Sequence, residues 1–198
     1  MLKNFKIFFA TSLITVLFIG CGTMNNRGEY EGSLSNIPYL KQNHSQYLQY
    51  GSNMTPAPTK DENNLRLDWT IEASSEEGAK KLADHIDFMT NKLKSGGTPR
   101  AWDKLFLMEA YMKQHHYYTT SVERNGKVVV VSKVAKNKCA YDVISAHSNA
   151  VSGDFFGRGV TNKDYSSIAE NILNSSECSS LKSSIENFIS SHQISRGM

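Results

Sequence analysis

The Asn-Gly pair at residues 125–126 constrains the fold of this chain more than any other feature of its 198 residues. It stands in the middle of residues 117–134, a stretch rich in Val, Thr and Tyr. Asn-Gly is the favoured pair for a two-residue type I′ turn, and β-branched and aromatic flanks favour strands. The pattern therefore predicts a β-hairpin over 117–134, in which Val122 lies opposite Val129.

A second strand is predicted over residues 65–72. Apolar and polar residues alternate strictly there, and this period of two is typical of a strand with one buried face. We expect this strand and the hairpin to form a small antiparallel sheet of three strands, covered by helices on one face. The apolar positions are Leu65, Leu67, Trp69 and Ile71.

Helical periodicity accounts for most of the remaining sequence. Apolar residues at three- and four-residue steps predict a helix capped by Ser74 and ending at Gly96-Gly97, and a second helix starting at Thr98-Pro99. The last third predicts three more, over 139–151, over 164–174 and from about 175 onwards. Residues 65–198 are therefore expected to form one α+β domain with about five helices.

The N-terminus has the pattern of a secretory signal. Lys3 and Lys6 precede an apolar run over 7–19, which ends in Gly20-Cys21. A short basic start and an apolar stretch too brief to span a bilayer comfortably indicate a signal peptide rather than a transmembrane helix.

The end of this segment resembles the lipobox of bacterial lipoproteins, in which a small residue precedes a lipidated cysteine. The resemblance implies that residues 1–20 are removed and that Cys21 carries palmitate-type acyl chains. The residue after the cysteine is Gly22. An Asp at this position would resemble an inner-membrane retention signal, so the glycine implies anchoring to the outer membrane, facing the periplasm. The alternatives are an ordinary signal cleaved nearby and an uncleaved anchor.

The other two of the three cysteines are Cys139 and Cys178. Two cysteines in an oxidising compartment most simply form one disulfide bond. The alternative is a reactive thiol, which a CxxC pair would support, but the sequence contains no such pair.

Residues 21–64 are predicted to be a flexible tether, because they are rich in Asn, Ser, Gly and Gln and lack a sustained helical period. Residues 35–50 are more apolar than a spacer requires. They predict either a loop that packs on its own domain or a segment that becomes ordered on a protein partner. The partner-binding candidates are Ile37, Tyr39, Leu40, Tyr47, Leu48 and Tyr50.

A glycine-rich stretch over 152–159 contains two further partner-binding candidates, Phe155 and Phe156. Two consecutive large aromatic residues in a short loop do not easily both face inward, so one is a candidate for exposure to a partner. An anion cradle is the less favoured reading, because phosphate loops follow a strand and this stretch follows a predicted helix.

Charge and motifs exclude several classes of function. The formal charge of +3 falls to about +1 once Lys3 and Lys6 are removed, and no run of like charges appears, so nucleic acid is not an expected partner. No HExxH, GxSxG or P-loop motif is present. His115 and His116 are adjacent, and His147 has no nucleophile at useful spacing. We therefore expect no enzymatic activity, no metal and no cofactor.

Together these features predict a lipid-anchored periplasmic protein that acts through protein–protein contacts. The organisation is similar to that of small outer-membrane lipoproteins that accompany conjugation and type IV secretion machines, which implies an accessory role in such a machine. The alternatives are a periplasmic inhibitor, an immunity or exclusion lipoprotein, and a carrier of a small apolar ligand.

Overall fold

A computed structural model describes residues 58–73, 75–156 and 163–195. In these ranges the chain forms an α+β fold, as predicted. The strands are β1 (Thr59–Asp61), β2 (Arg66–Glu72), β3 (Tyr118–Asn125) and β4 (Val128–Ala135), and the helices are α1 (Glu76–Lys94), α2 (Lys104–Gln114), α3 (Lys138–Ala150), α4 (Ser166–Leu173) and α5 (Lys182–His192). A π-helical turn (Val151–Phe156) and a 3-10 turn (Ser176–Cys178) complete the elements.

The four strands form one antiparallel sheet in the order β1-β2-β4-β3. Strand β2 pairs with β4, so that Trp69 lies opposite Val131. Strand β1 pairs with the first half of β2 and adds a fourth strand to the three expected. It lies within residues 21–64, the range assigned to the tether, so the sheet begins before Leu65.

The hairpin is present, but its turn is shifted by one residue from the prediction. Asn125 lies opposite Val128, so Gly126 and Lys127 are the central residues of the turn. Gly126 has a φ of 57°, a value that glycine adopts without strain. Val122 therefore pairs with Val131 and not with Val129. A pairing shift of two residues leaves every side chain on the same face of the sheet, so the predicted burial pattern is still correct.

Three predicted helix starts were also wrong. Helix α5, expected from about residue 175, begins at Lys182 after the 3-10 turn. Helix α1 is capped by Ser75, whose side chain accepts a hydrogen bond from the backbone N–H of Gly78. Helix α2 starts after Asp103, five residues later than the predicted cap at Thr98, because the Asp103 carboxylate accepts a hydrogen bond from the N–H of Leu105. Residues 99–102 form turns, in which Arg100 has a φ of 55°.

The predicted disulfide bond between Cys139 and Cys178 is formed. Cys139 is the second residue of α3, whereas Cys178 lies in the 3-10 turn before α5 and not on that helix as expected. Both cysteines are completely buried. The bond therefore ties the start of α3 to the chain that leads into α5.

The helices pack on one face of the sheet around two groups of buried apolar residues. One group fills the space between α1 and the strands β2 and β4, and includes Trp69, Ile71, Leu82 and Val129. The larger group lies among α2, α3, α4 and α5, and reaches the sheet at Leu67, Tyr118 and Ala135. Side chains on the other face of β3, such as Thr119, Ser121 and Glu123, are exposed.

Candidate functional site

A buried carboxylate, Glu109, lies in the middle of helix α2 among apolar residues. Its Oε1 atom accepts hydrogen bonds from the Tyr118 hydroxyl at 3.0 Å and from the Lys133 Nζ at 2.8 Å. Its Oε2 atom lies 2.9 Å from Nε2 of His147. Side chains from α2, β3, β4 and α3 therefore meet at this one carboxylate, and we call these four residues the Glu109 cluster.

The neighbours of Glu109 determine its protonation state. Burial alone would raise the pKa of Glu109, but His147 and Lys133 lower it by their charges and hydrogen bonds and hold it well below its ordinary value. The pKa of Tyr118 is raised well above 10, because its hydroxyl is buried and faces the charge of Glu109. Glu109 is therefore an anion at neutral pH, and Tyr118 is a neutral donor.

A second lysine, Lys113, lies beside the Glu109 cluster one helical turn further along α2. Its Nζ donates a hydrogen bond to Oγ1 of Thr120 at 2.9 Å and lies 4.6 Å from the centre of the Tyr118 ring. Burial, together with the charge of Lys133, lowers the pKa of Lys113 to about 8. In contrast to Lys133, Lys113 makes no salt bridge shorter than 4 Å with the described carboxylates.

The Glu109 cluster is an interior junction. Only 3% of Glu109 and 3% of Tyr118 is exposed, so a substrate could not reach them without movement of the surrounding elements. His147 is also largely enclosed, since the ring of Phe106 packs edge-on against it with 4.6 Å between centroids. A general acid or base must lie within hydrogen-bond reach of its substrate. The geometry favours a role in fixing α2 and α3 against the sheet.

A second buried carboxylate, Asp103, joins α2 to the segment before α4. Besides capping α2, it accepts a hydrogen bond from the backbone N–H of Tyr165 at 3.1 Å. Burial raises its pKa, and the hydrogen bond from Tyr165 and the charge of Arg100 oppose this effect. The Arg100 guanidinium stacks near the rings of Phe106 and Trp102, at 4.2 and 4.6 Å from their centres.

Asp154 and Tyr165 connect the two ends of the chain segment 155–164. The Tyr165 hydroxyl donates to Oδ2 of Asp154 at 2.5 Å, and Nζ of Lys163 lies 3.0 Å from the same oxygen. Asp154 and Tyr165 are both buried, each 3% exposed. This contact holds together the base of the segment that begins with Phe155 and Phe156.

A groove of about 360 Å³ lies between α2, α4 and α5. Its apolar lining includes Met108, Leu173 and Ile189, and its polar lining includes a salt bridge between Lys104 and Glu170. Met108 therefore belongs both to the core and to the lining of this groove.

The structure describes some of the predicted site residues but not others. Cys139 and Cys178 are bonded as predicted. Phe155 and Phe156 end the π-helical turn, but their side chains lie outside the described part of the chain. Cys21 and the six candidates of residues 35–50 also lie outside it: Ile37, Tyr39, Leu40, Tyr47, Leu48 and Tyr50.

The Glu109 cluster was not predicted. His147 has no reactive partner at useful spacing in the sequence, because its partner, Glu109, lies on α2. The sequence does contain a signal: Glu109 interrupts an apolar run from Leu105 to Met112, and Lys113 follows that run directly. Charged residues at such positions are almost never fully buried unless they are paired. Their partners, however, lie far away in the sequence.

No helix in the described ranges is long and apolar enough to cross a membrane. The same ranges contain no group of three or more His, Cys, Asp or Glu residues that could hold a metal ion. No known protein family, curated protein or solved structure matches this chain. The residues and their geometry are therefore the basis for the function proposed below.

Proposed function

We propose that this chain is a lipoprotein anchored through Cys21 to the outer membrane, facing the periplasm, and that it acts through protein–protein contacts. Within that class, the proposal is an accessory component of an envelope secretion or conjugation machine.

The observation that carries the proposal is that two of the three cysteines form a disulfide bond and the third is left for lipidation. Cys139 and Cys178 are joined in the folded domain, which leaves only Cys21. That cysteine follows a basic start, an apolar run and a glycine, the order found in a lipoprotein signal. Disulfide bonds persist in oxidising compartments such as the periplasm. The bond and the signal thus support the same destination.

The proposed contact residues lie at two places in the chain. Residues 35–50 supply apolar and aromatic side chains within a polar tether, a composition suited to a segment that becomes ordered on a partner. Phe155 and Phe156 follow Asp154, whose contact with Tyr165 closes the base of their segment. Burial of the Glu109 carboxylate supports contact, rather than catalysis, as the activity of this domain.

Membrane anchoring is tested by changing Cys21 and Gly22 in the full-length chain. Cys21→Ala should move the protein from the membrane fraction to the soluble periplasmic fraction, because two or more acyl chains give stable anchoring. Gly22→Asp keeps the lipid and should move the protein from the outer to the inner membrane. If Cys21→Ala stays in the membrane, the lipid is not the anchor.

The contact function is tested by cross-linking the full-length chain in intact cells. The expected result is a stoichiometric protein partner that is lost when residues 35–50 are deleted and kept when residues 22–34 are deleted. Phe155→Ser with Phe156→Ser should weaken the same complex. An apolar molecule that co-purifies with the protein, seen by native mass spectrometry in place of a protein partner, would contradict the proposal and indicate a carrier.

A further inference from the structure

Lys113 is a buried lysine whose hydrogen-bond partner is a neutral hydroxyl. Only 6% of the residue is exposed. Its Nζ donates to Oγ1 of Thr120 at 2.9 Å and lies 4.6 Å from the centre of the Tyr118 ring. Lysine is almost never fully buried unless its charge is paired. The surroundings of Lys113 therefore favour a form of the side chain other than the cation.

The carboxylate that acts on Lys113, Glu109, is already occupied by other groups. Its Oε1 atom accepts hydrogen bonds from Tyr118 and Lys133, and its Oε2 atom contacts His147. Among the described carboxylates, none lies within 4 Å of the Lys113 Nζ. Lys133 thus takes the charge of Glu109, and Lys113 is a surplus amine beside that pair.

Two further lysines act on this amine. Nζ of Lys133 lies 5.6 Å from the centre of the same Tyr118 ring, and Lys94 is the last residue of α1. Burial lowers the pKa of Lys113 to about 8. The charges of Lys133 and Lys94 also lower this pKa, whereas the charge of Glu109 raises it. A lysine that is desolvated and next to another cation is an activated nucleophile.

The site restricts which electrophile reaches the amine. With 6% of Lys113 exposed, the reagent has to be small. CO2 is small and uncharged, and it adds to a neutral amine without an activating cofactor. The product is a carbamate, which is an anion. Neighbouring lysines disfavour a cation at Lys113, and the same charges favour an anion there.

We propose that Lys113 is a carboxylation site, at which the side-chain amine binds CO2 reversibly as a carbamate. The ammonium group first releases one proton to water. The nitrogen lone pair then forms a bond to the carbon of CO2, and one C=O electron pair moves onto an oxygen atom. The nitrogen loses a second proton to water. The side chain thus changes from a cation to an anion, and two protons are released for each CO2 bound.

Thr120 and Lys133 are the groups that stabilise the carbamate. A threonine hydroxyl both accepts and donates, so Oγ1 of Thr120 accepts from the Lys113 amine and donates to a carbamate oxygen. Lys133 lies opposite Thr120 on strand β4 and supplies positive charge. A hydrogen bond to a charged group is stronger than one between neutral groups. The carbamate therefore replaces a repulsion between two lysines by an attraction.

The experiment locates CO2 on the folded, detergent-solubilised full-length chain. The protein is equilibrated with isotopically labelled CO2 and bicarbonate at about pH 8, where a large part of Lys113 is neutral amine. A trialkyloxonium salt then converts the carbamate to a stable ester, and tandem mass spectrometry identifies the lysine that carries it. Lys113 should be labelled about tenfold more than Lys80, an exposed lysine whose Nζ lies 2.6 Å from Asp84.

Variants of Thr120 and Lys113 test the geometry of the site. Thr120→Val removes the hydroxyl with little change in shape and should lower the labelling of Lys113 by about tenfold at the same CO2 concentration. Thr120→Ser keeps the hydroxyl, so its labelling should stay within about twofold of the wild type. Lys113→Met removes the amine and should abolish the carbamate signal in carbon NMR spectra. An intact Cys139–Cys178 bond in each variant serves as the check of the fold.

An unlabelled Lys113 in the folded chain would overturn the proposal. Equal labelling of Lys113 and Lys80 would also overturn it, because it would show the ordinary reactivity of an exposed lysine. The third contrary result is a chain that is reduced, unfolded in guanidinium chloride and still labelled at Lys113 as strongly as the folded chain. In that case burial and the neighbours of Lys113 would contribute nothing to the reaction.

Discussion

Nε2 of His147 lies 2.9 Å from Oε2 of Glu109, and this contact joins the end of helix α3 to the middle of helix α2. Lys133 and Tyr118 bring the two hairpin strands to the same carboxylate through its other oxygen. Four separate elements of the fold thus depend on one buried charge. Removing a single partner of a buried ion pair is strongly destabilising, because the remaining charge loses its compensation.

The two lysines near Glu109 should respond differently to replacement. Lys133→Met removes the salt bridge to Glu109 and should lower the free energy of unfolding by roughly 3 kcal/mol. Lys113→Met is the matched control, because it removes a buried lysine that hydrogen-bonds to Thr120. It should change stability by less than about 1 kcal/mol at pH 7, since burial already disfavours its charged form. Urea denaturation measures both values, and equal losses would contradict the assigned roles.

Stability should depend on pH through Glu109. Its folded-state pKa is lower than the value of about 4.3 expected in the unfolded chain, so its contribution is present above that pH and is lost as the pH falls below it. The stability difference between the wild type and Glu109→Gln should therefore shrink as the pH falls below about 4. Denaturation midpoints between pH 3 and pH 7 measure this difference. A gap that stays constant to pH 3 would contradict the ionised state of Glu109.

The disulfide bond should make a large contribution to stability. It joins two residues that are 39 positions apart in the sequence. For a loop of this length the chain-entropy model gives a stabilisation of about 4 kcal/mol. Cys139→Ala with Cys178→Ala should lower the free energy of unfolding by that amount. Because both cysteines are buried, the reduced wild type is the control that separates loss of the bond from loss of packing. A double variant as stable as the oxidised wild type would contradict this prediction.

Asp103 should stabilise the start of α2 through two separate oxygens. Asp103→Ala removes the cap on Leu105 and the bond from Tyr165, and should cost about 2 kcal/mol. Asp103→Asn keeps one oxygen for the cap but presents an N–H group to the N–H of Tyr165. Its cost should therefore be about half as large. Thermal unfolding followed by circular dichroism compares the two variants. Identical losses of stability would show that only one of the two Asp103 oxygens stabilises the fold.

Local patterns were enough to predict most of the secondary structure. The alternation over 65–72 and the hairpin sequence gave the central strands, and helical periodicity gave five helices in the correct order. The boundaries were less accurate. Ser74 was predicted to cap the first helix, but it is the side chain of the next residue, Ser75, that reaches the N–H of Gly78. Strand β1 was missed because three residues are too few to display a period.

The sequence by itself determined the three central strands, the five helices, the buried face of the strands and the pairing of Cys139 with Cys178. These properties follow from residue periodicity and from the small number of cysteines. Tertiary structure decided the hairpin register, because a shift of two residues leaves the facing pattern unchanged. It also decided that Glu109 meets Lys133, Tyr118 and His147. Contacts between residues far apart in the chain depend on how whole elements pack, and no local pattern records that packing.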